Sequence, residues 1–306
     1  MIRFLLSRLL QGVIVIFMVI TITFFLSKMI PGGLIQNEKN VSPVTLKAQA
    51  EYYGWDKPLI VQWWKQIVHY ATFDMPESTH FRGRYIDEII ASGFPVSASV
   101  AVLALSIALS IGIPVGAISA LKPHTLEDRV SMLATTTGIC TPTMVSGPII
   151  ALVLGLHLRW FNASGWQESG DVVLPAVTLG IIYSAYIARL MRGSLRETLA
   201  LEFIRTARAK GAGEIAVVFR HAMKLACLPV LNFLGPAAAG LLTGSFVVET
   251  TFQLPGLGQF FIAAVKNNDH QLTMGLSVLF AALIVFFNLL VDLLQAWLNP
   301  RIRLQA

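Results

Sequence analysis

Six stretches of the chain contain few charged residues and are long enough to cross a lipid bilayer as helices. The hydrocarbon core of a bilayer requires about 20 apolar residues per helix. An α-helix can cross that core because it satisfies its own backbone hydrogen bonds. The stretches are residues 9–30, 94–121, 131–158, 172–191, 225–248 and 272–298. They predict an all-α integral membrane protein with six transmembrane helices.

The third stretch is the weakest of the six because threonines and prolines interrupt it. We expect its membrane-spanning part to begin near Gly138. Pro142 and Pro148 leave backbone carbonyl groups without helical partners, so this segment needs neighbouring helices around it. Prolines in other stretches make the same demand: Pro114, Pro175, Pro229 and Pro236. The helices are therefore expected to pack into a bundle.

Composition and charge support this class and indicate an orientation. Apolar residues make up 55% of the chain and charged residues 13%, against about 25% charged residues in soluble domains. Short cytoplasmic loops carry an excess of Lys and Arg. With a cytoplasmic N-terminus, the short outer loops hold only Arg159 and Lys266. Both termini are therefore expected in the cytoplasm, and the net charge of +6 requires no nucleic-acid partner.

The predicted spans divide the chain into three parts. Residues 1–30 form the cytoplasmic N-terminus and the first helix, whose apolar run is longer than that of a cleaved signal peptide. Residues 31–93 form a long extracytoplasmic loop with short helices. Residues 94–306 form a five-helix core that includes a cytoplasmic loop at 192–224.

Three short helical pieces are expected in the extracytoplasmic loop, and the third, residues 85–94, is amphipathic and runs into the second predicted span. A Ser-Pro pair at residues 42–43 favours one helix start. A second helix after Asp56 places four side chains on one face: Leu59, Trp63, Ile67 and Tyr70. Three tryptophans suit either an interfacial aromatic belt or packing within a small cap: Trp55, Trp63 and Trp64.

A basic segment separates the fourth and fifth predicted spans. It contains eight cations: Arg189, Arg192, Arg196, Arg205, Arg208, Lys210, Arg220 and Lys224. Because a polar segment cannot lie in hydrocarbon, it is expected to offer a cytoplasmic surface to a partner, with contact to anionic lipid as the alternative. Residues 203–211 predict a helix that stops at Gly211, since Ala, Arg and Lys favour helices and Gly ends them.

No catalytic, metal-binding or cofactor-binding pattern stands out in the sequence. The His residues are scattered without ligand spacing, and Cys140 and Cys227 are expected to be small packing residues. Lys210-Gly211 has the wrong order for a nucleotide-binding glycine loop. Ion-driven carriers need charged groups at mid-membrane. Such groups are sparse here, so a carrier or a membrane enzyme is a weaker hypothesis.

Short motifs along the whole chain carry a family resemblance. The central one, residues 203–211, is Phe-Ile-Arg-Thr-Ala-Arg-Ala-Lys-Gly. Others lie at residues 8–10, 30–32, 174–180, 188–189, 220–222, 228–230, 235–236, 243–245, 249–250, 254–259 and 300–303. Together they resemble the peptide and nickel branch of ABC importer permeases. Residues 94–98 and 165–166 resemble the B-type subunit of oligopeptide permeases in particular.

This resemblance implies the type I ABC importer permease fold and one subunit of an ATP-driven importer in the bacterial cytoplasmic (inner) membrane. The implied partners are a second related permease subunit, two ATPase subunits and an extracytoplasmic substrate-binding protein. ATP and Mg would be bound by the ATPase subunits, and this chain would have no catalytic role. The implied substrate is an oligopeptide. Dipeptides, nickel chelates and glutathione are alternatives, because the binding protein largely selects the substrate.

The resemblance also assigns coupling to the ATPases to a helix at residues 203–212. The coupling residues are Arg205, Thr206, Ala207, Arg208, Lys210, Gly211, Ala212 and Glu214. The wider superfamily begins this motif with Glu-Ala-Ala, whereas Arg205 and Thr206 take the first two positions here and Ala207 and Gly211 are kept. Residues 72–84 also depart from the family, since they lack a Gly-Asp-Phe-Gly-like segment.

The loop between the fifth and sixth predicted spans combines one acid with a Pro-Gly-x-Gly bend. The candidate outer-gate residues are Glu249, Pro255, Gly256 and Gly258. A re-entrant or gate-forming segment is expected, with an ordinary turn as the alternative. Gly256 and Gly258 are expected to supply backbone freedom, and Glu249 to be buried beside a hydrogen-bonding partner.

Overall fold

Long apolar helices form the frame of the protein. The computed structural model describes residues 2–29, 54 and 56–298. The helices in this part of the chain are α1 (Ile2–Met29), α2 (Leu59–Thr72), α3 (Ile86–Leu121), α4 (Leu126–Cys140), α5 (Thr143–Ile150), α6 (Val173–Leu199), α7 (Glu202–Ala209), α8 (Glu214–Ala216), α9 (Met223–Ala226), α10 (Leu228–Gly244), α11 (Phe246–Phe252), α12 (Leu257–Lys266) and α13 (His270–Leu298). The helix predicted after residues 42–43, Trp55 and the motif at 300–303 lie outside the described residues.

Four helices, α1, α3, α6 and α13, are each long and apolar enough to cross a membrane. The other two predicted spans are bent pairs. One consists of α4 and α5 with the π-helical turn Ala151–His157, and it bends by 104°. The other joins Glu214–Ala226, which includes the π-helical turn Val217–Ala222, to α10 at 47°. The all-α membrane fold is confirmed, and the number of six spans holds if each bent pair crosses once.

The third predicted span begins no new helix near Gly138, where we expect its membrane-spanning part to begin, and breaks instead at Thr141 and Pro142. Pro142 has φ −62° and ψ 143°, an extended conformation that the helix cannot include. The residue before a proline is also driven out of the helical region, and Thr141 has ψ 116°. Gly138 instead lies inside α4.

Two further boundaries move because helical segments continue past them. The amphipathic piece before the second predicted span is continuous with it, so α3 begins at Ile86 rather than at residue 94. α6 continues to Leu199, so the beginning of the predicted cytoplasmic loop 192–224 is helical. Residues 192–199 include Arg, Leu and Glu, which are good helix formers.

The centre of the frame is the close contact between α3 and α6. Glycines lie at this contact on both helices: Gly112 and Gly116 on α3 and Gly180 on α6. A β-carbon added at Gly116 would lie 2.7 Å from the Cβ of Met191, and one at Gly112 would lie 2.8 Å from the Cβ of Ile187. Small residues allow helix backbones to approach closely in membranes. Larger side chains here would push the two helices apart.

The two ends of the frame carry different segments. The basic end holds residues 122–125 and 200–227, and the far end holds residues 73–85 and 253–269. A buried cluster at the far end joins the start of α3 to α12 and α13: Ile86, Ile89, Leu257, Ala264, Leu272 and Leu276. This cluster fixes the segment that contains the candidate gate residues to the frame.

Buried Asp269 fixes the segment between α2 and α3 at the far end. Its Oδ2 accepts hydrogen bonds from Ser78 Oγ at 2.5 Å and from the backbone N–H of His80 at 3.1 Å. An isolated β-bridge pairs Glu77 with Tyr85. The stretch 72–84, which departs from the family motif, is therefore ordered by contacts with α13.

The helix predicted after Asp56 is α2, which packs with α1 against α13. Trp63 packs against a buried cluster of residues from these three helices: Ile20, Phe24, Tyr70, Met274 and Val278. Its Nε1 donates to Thr21 Oγ1 at 3.2 Å. Trp64 is 60% exposed and Leu59 is 54% exposed. Trp63 therefore packs inside the protein, Trp64 faces outward, and Leu59 does not share the buried face.

The α3–α6 contact leads to a prediction about stability. Gly116→Val is expected to lower the free energy of unfolding by about 3 kcal/mol, because the new methyl groups overpack a closed contact. The measurement is thermal unfolding in detergent. The control is Gly193→Val on α6, the other helix of this contact, because no atom lies within 4 Å of a β-carbon added there. Equal unfolding temperatures for the two variants would contradict the prediction.

Candidate functional site

The central basic motif forms α7, a two-turn helix at the basic end. Glu202 lies in its first turn, where the helix dipole favours an acid. Ile204 is fully buried. It packs in a cluster with residues of α3, α6, the π-helical turn Val217–Ala222, α9 and α10: Ala108, Ala120, Ile187, Met191, Leu195, Val217, Ala222, Ala226 and Val230. Burying one such side chain contributes about 1.5–3 kcal/mol, so Ile204 anchors α7 to the frame.

Gly211 ends the helix, at the place where the sequence predicts a stop. Its backbone N–H donates to the carbonyl of Arg208 at 2.9 Å, and the N–H of Ala212 donates to the carbonyl of Ala207 at 3.1 Å. This pair of bonds is a Schellman motif. Gly211 has φ +83°, a left-handed conformation that favours glycine.

An ion pair closes the turn that follows α7. Arg208 Nε and Nη2 donate to Glu214 Oε1 and Oε2 at 2.8 and 3.1 Å. This hydrogen bonding raises the pKa of the Arg208 guanidinium. Because both side chains are exposed, the pair contributes more to the relative orientation of α7 and α8 than to stability.

The exposed side chains of α7 and its turn include Phe203, Arg205, Thr206, Arg208 and Lys210, which we call the α7 surface, with the exposed acid Glu202 at the start of the helix. The predicted coupling residues Ala207 and Ala212 are half-buried behind this surface. Phe203, which is 43% exposed, adds an apolar side chain that the sequence reasoning did not single out. A basic face with one apolar side chain suits contact with another protein.

Only three of the eight cations of the basic segment belong to the α7 surface. Arg220 lies in the π-helical turn and Lys224 on α9, and three cations lie on α6: Arg189, Arg192 and Arg196. The Nη2 atom of Arg189 donates to Thr136 Oγ1 at 3.1 Å. Arg192 forms an ion pair with Asp128 at 2.7 Å. The expectation that the whole segment faces a partner is therefore wrong for Arg192, whose side chain is taken up by Asp128, whereas Arg189 is exposed.

Glu249 on α11 is completely buried at the junction of α3, α11 and α12. Its Oε1 accepts hydrogen bonds from Ser97 Oγ at 2.7 Å and Ser245 Oγ at 2.6 Å. Its Oε2 accepts from the backbone N–H groups of Gly258 at 2.8 Å and Gln259 at 3.2 Å. Four donors compensate the burial of the carboxyl group. Glu249 therefore has the buried, hydrogen-bonded environment that the sequence predicts.

The carboxyl group of Glu249 caps the N-terminus of α12. Gly256, the residue at the cap position, has no side chain to accept from the free N–H groups of the first turn. Glu249 provides that acceptor from the neighbouring helix. Ser97 adds a second link, since its Oγ accepts from the N–H of Leu257 at 2.9 Å. The turn between α11 and α12 is thus held to α3.

Gly256 and Gly258 are needed for space rather than for the backbone freedom that we expected from the sequence. Gly256 has φ −94°, which any residue can adopt. A β-carbon on Gly256 would overlap the carboxyl group of Glu249, and one on Gly258 would lie 2.6 Å from the Cα of Phe246. Pro255 is exposed. It takes no part in the hydrogen bonds of the junction.

The sequence reasoning missed the partners of Glu249. Ser97 lies on α3, 152 residues before Glu249 in the chain. Ser245 is only four residues before Glu249, at the start of α11. Both lie within motifs of the family resemblance, at residues 94–98 and 243–245. Those motifs were the one signal that could have found them.

The described residues contain no group of three or more His, Cys, Asp or Glu side chains that could hold a metal ion. Cys140 and Cys227 are both free thiols. Cys227 is half-buried, whereas Cys140 is exposed, so the expected packing role is wrong for Cys140 within this chain. The two candidate sites are the exposed α7 surface and the buried hydrogen-bonded junction around Glu249.

This geometry defines a multi-pass helical membrane protein with a short basic helix at one end. The chain belongs to the family described as binding-protein-dependent transport system inner membrane component, whose sequence model matches residues 112–304. A second model, for the N-terminal part of such membrane components, matches residues 1–79. The protein is thus an inner-membrane permease of an ABC importer.

Relatives match the chain over nearly its whole length. It is 38% identical over 305 residues to the oligopeptide transport system permease protein OppB of Salmonella typhimurium, covering 99% of this chain and 100% of the relative. The identity to OppB of Escherichia coli K12 is 37% with the same coverage. The dipeptide transport system permease protein DppB of Bacillus subtilis is 33% identical, covering 99% of each chain. The family resemblance inferred from the motifs is confirmed.

A solved structure supports the fold. The crystal structure of an amino acid ABC transporter with histidines matches with a TM-score of 0.53, covering 68% of this chain and 94% of that chain. The identity is 17%, so the match shows the fold alone. It confirms an ABC transporter permease fold for the helical frame.

Proposed function

We propose that this chain is a permease subunit of an ATP-driven importer of oligopeptides. The observation that carries the proposal is the α7 surface, which is exposed to a partner and yet anchored in the frame by buried Ile204. The similarity to oligopeptide permeases along the whole chain supports oligopeptides as the substrate. Similarity to dipeptide permeases makes dipeptides the second candidate. Nickel chelates and glutathione are weaker alternatives.

In this proposal the chain pairs with a second, related permease subunit to enclose the pathway. Two ATPase subunits bind ATP and Mg, and one of them receives α7 in a groove on its surface. Closure of the ATPases displaces α7, and the frame switches the side on which the cavity opens. An extracytoplasmic binding protein delivers the peptide. The chain itself needs no cofactor and catalyses no reaction.

The proposal places the basic end in the cytoplasm. The exposed cations of α7 and the turn after it favour the cytoplasmic side of a bilayer. The far end, with the junction around Glu249, then faces outward. Contact between the α7 surface and anionic lipid is the competing role for the same cations, since each contributes about 1 kcal/mol near a charged membrane.

The segment from Glu249 to Phe260 is proposed to form an outer gate. It is a helix, a tight turn and a second helix, held to α3 through Ser97 rather than free in solvent. This fixed shape supports a gate over an ordinary turn. A segment that closes a pathway must keep its shape while the pathway opens, and the bonds to Glu249 provide that constraint.

An ion-driven carrier is the weaker alternative. Such a carrier needs an acid that exchanges a proton or cation during transport. Glu249 is saturated by four donors, and Asp292 on α13 is paired with Arg8 at 3.0 Å. Their contacts support structural roles.

Coupling through α7 can be tested with two proline variants. Gly211→Pro is expected to reduce peptide uptake per ATP by about tenfold, because proline cannot adopt φ +83° and loses the N–H bond to Arg208. The measurement is peptide uptake and ATP hydrolysis in proteoliposomes that contain both permeases, both ATPases and the binding protein.

The matched control is Gly213→Pro. Gly213 has φ −67°, which is the angle that proline prefers. Coupled uptake is therefore expected to survive in this variant. If Gly211→Pro transports like the native protein at equal expression, α7 does not couple the ATPases to the pathway.

The orientation can be tested by thiol labelling. In a chain with Cys140 and Cys227 replaced by Ala and expressed without ATPases, Ile215→Cys is expected to react only when the reagent reaches the cytoplasm. Ile215 is 78% exposed at the basic end. Lys266→Cys, which is exposed at the far end, is expected to react from outside. The reverse pattern would invert the topology.

The outer gate can be tested at the junction. Gly256→Val is expected to abolish uptake, because its side chain would displace the carboxyl group of Glu249. Glu249→Leu is expected to have the same effect, since it leaves four donors without an acceptor. Co-purification with the ATPases is expected to persist in both. The control is Gly170→Val, where no atom lies within 4 Å of an added β-carbon. Native uptake by both junction variants would make this segment a simple connector.

A further inference from the structure

Asp128, in the first turn of α4, joins three segments at the basic end through one buried carboxyl group. It is 3% exposed. Arg192 on α6 donates to it twice, from Nε at 2.7 Å and from Nη2 at 2.8 Å. Ser119 Oγ on α3 donates to Oδ1, and the backbone N–H of His124 donates to Oδ2 at 2.9 Å. Donors therefore come from α3, from the loop after it and from α6.

The backbone around this contact is shaped to make it. His124 has φ +66°, a left-handed conformation that is costly for a residue with a side chain. His124 is also the residue whose backbone N–H donates to Asp128. The two parallel bonds from Arg192 also fix the angle between α4 and α6, because a guanidinium and a carboxylate fit together in one plane.

A neighbouring ion pair, between Lys122 at the end of α3 and Glu127 in the first turn of α4, is far more exposed than the Asp128 contact. Lys122 and Glu127 lie 3.0 Å apart, but their side chains are 57% and 51% exposed. Exposed pairs of this kind are screened and contribute little to structure. The Asp128 contact, in contrast, is enclosed and has four donors.

Ile204, which anchors α7, packs against residues of α3 and α6 that are adjacent in sequence to Ser119 and Arg192. Ile204 packs in the cluster that contains Ala120 of α3 and Met191 of α6. Ala120 follows Ser119 and Met191 precedes Arg192 in the chain. The same turns of α3 and α6 therefore hold the hydrophobic seat of α7 on one side and the donors to Asp128 on the other.

We propose that Asp128 is a positioning residue that makes α4 move as one body with α7. The proposal rests on the proposed function, in which an ATPase displaces α7. The displacement passes through Ile204 to α3 and α6, and through Ser119 and Arg192 to Asp128. α4 then carries it to the break at Thr141 and Pro142, where the bent pair of α4 and α5 changes direction. Without the Asp128 contact, α4 no longer follows α7.

The first test measures coupling in proteoliposomes. Asp128→Asn keeps the size of the side chain but replaces an oxygen acceptor with an N–H₂ group that faces other donors. Peptide transported per ATP hydrolysed is expected to fall at least about fivefold, the lower end of typical coupling between two sites. The control is Glu127→Gln, the same chemical change one residue away in an exposed pair, and it is expected to keep the native ratio.

The second test needs no change at Asp128, so it can overturn the proposal even if Asp128→Asn fails to assemble. Spin labels are placed at Val130 on α4 and Arg196 on α6, which are both exposed, in a chain with Cys140 and Cys227 replaced by Ala. Electron–electron distances are measured in the whole complex with and without trapped ATP. The distance is expected to be the same in both states.

The outcomes separate this proposal from the proposed function. If the native complex neither hydrolyses ATP nor takes up peptide, the proposed function fails. If the native complex transports peptide but Asp128→Asn keeps the native coupling ratio, the role of Asp128 is overturned. A label distance that changes between the two nucleotide states overturns it as well. A constant distance with a reduced ratio supports it.

Discussion

The close approach of α3 and α6 is the constraint on which the other contacts depend. Gly112 and Gly116 remove the side chains that would separate the two helices, and Gly180 does the same from the other side. Lipid offers no hydrophobic force that drives helices together, so packing at this distance must supply the attraction. Both central clusters of buried residues draw on these two helices. The segments at each end are placed relative to this pair.

Buried acids then attach the end segments to the frame. Glu249 and Asp269 do so at the far end, and Asp128 does so at the basic end. Each accepts hydrogen bonds from residues that are distant in the sequence, or from a different helix. A buried carboxyl group is costly unless it is fully bonded, so each acid permits few arrangements of its neighbours. Apolar packing could hold the same segments in place, but it would allow them more ways to slide.

The sequence predicted the helical class, the long spans and the end of α7 at Gly211 because each depends on local signals. Apolar length, helix propensity and a glycine stop act over a few residues. The sequence does not place the break at Pro142, because the threonines before it look like interruptions of the helix and yet remain helical in the structure, as Thr137 Oγ1 donates to the carbonyl of Leu133. The sequence also could not predict which individual cation of the basic segment is paired inside the protein. Arg192 resembles its neighbours in the sequence and is distinguished only by Asp128.

The contrast between local signals and contacts in space also explains the glycines of the candidate gate. A Pro-Gly-x-Gly run predicts a turn, and the usual reason for its glycines is a left-handed backbone. In the structure the reason for Gly256 is the carboxyl group of Glu249, which occupies the place of its side chain. That reason depends on Glu249, Ser97 and α12 meeting in space, which no local pattern encodes. Residues fixed by such contacts hold the ends in shape, while the unbroken helices α3 and α6 connect one end to the other. In the proposed function a displacement at the basic end reaches the far end through this frame, and the two bends of 104° and 47° lie in the spans that are not single continuous helices.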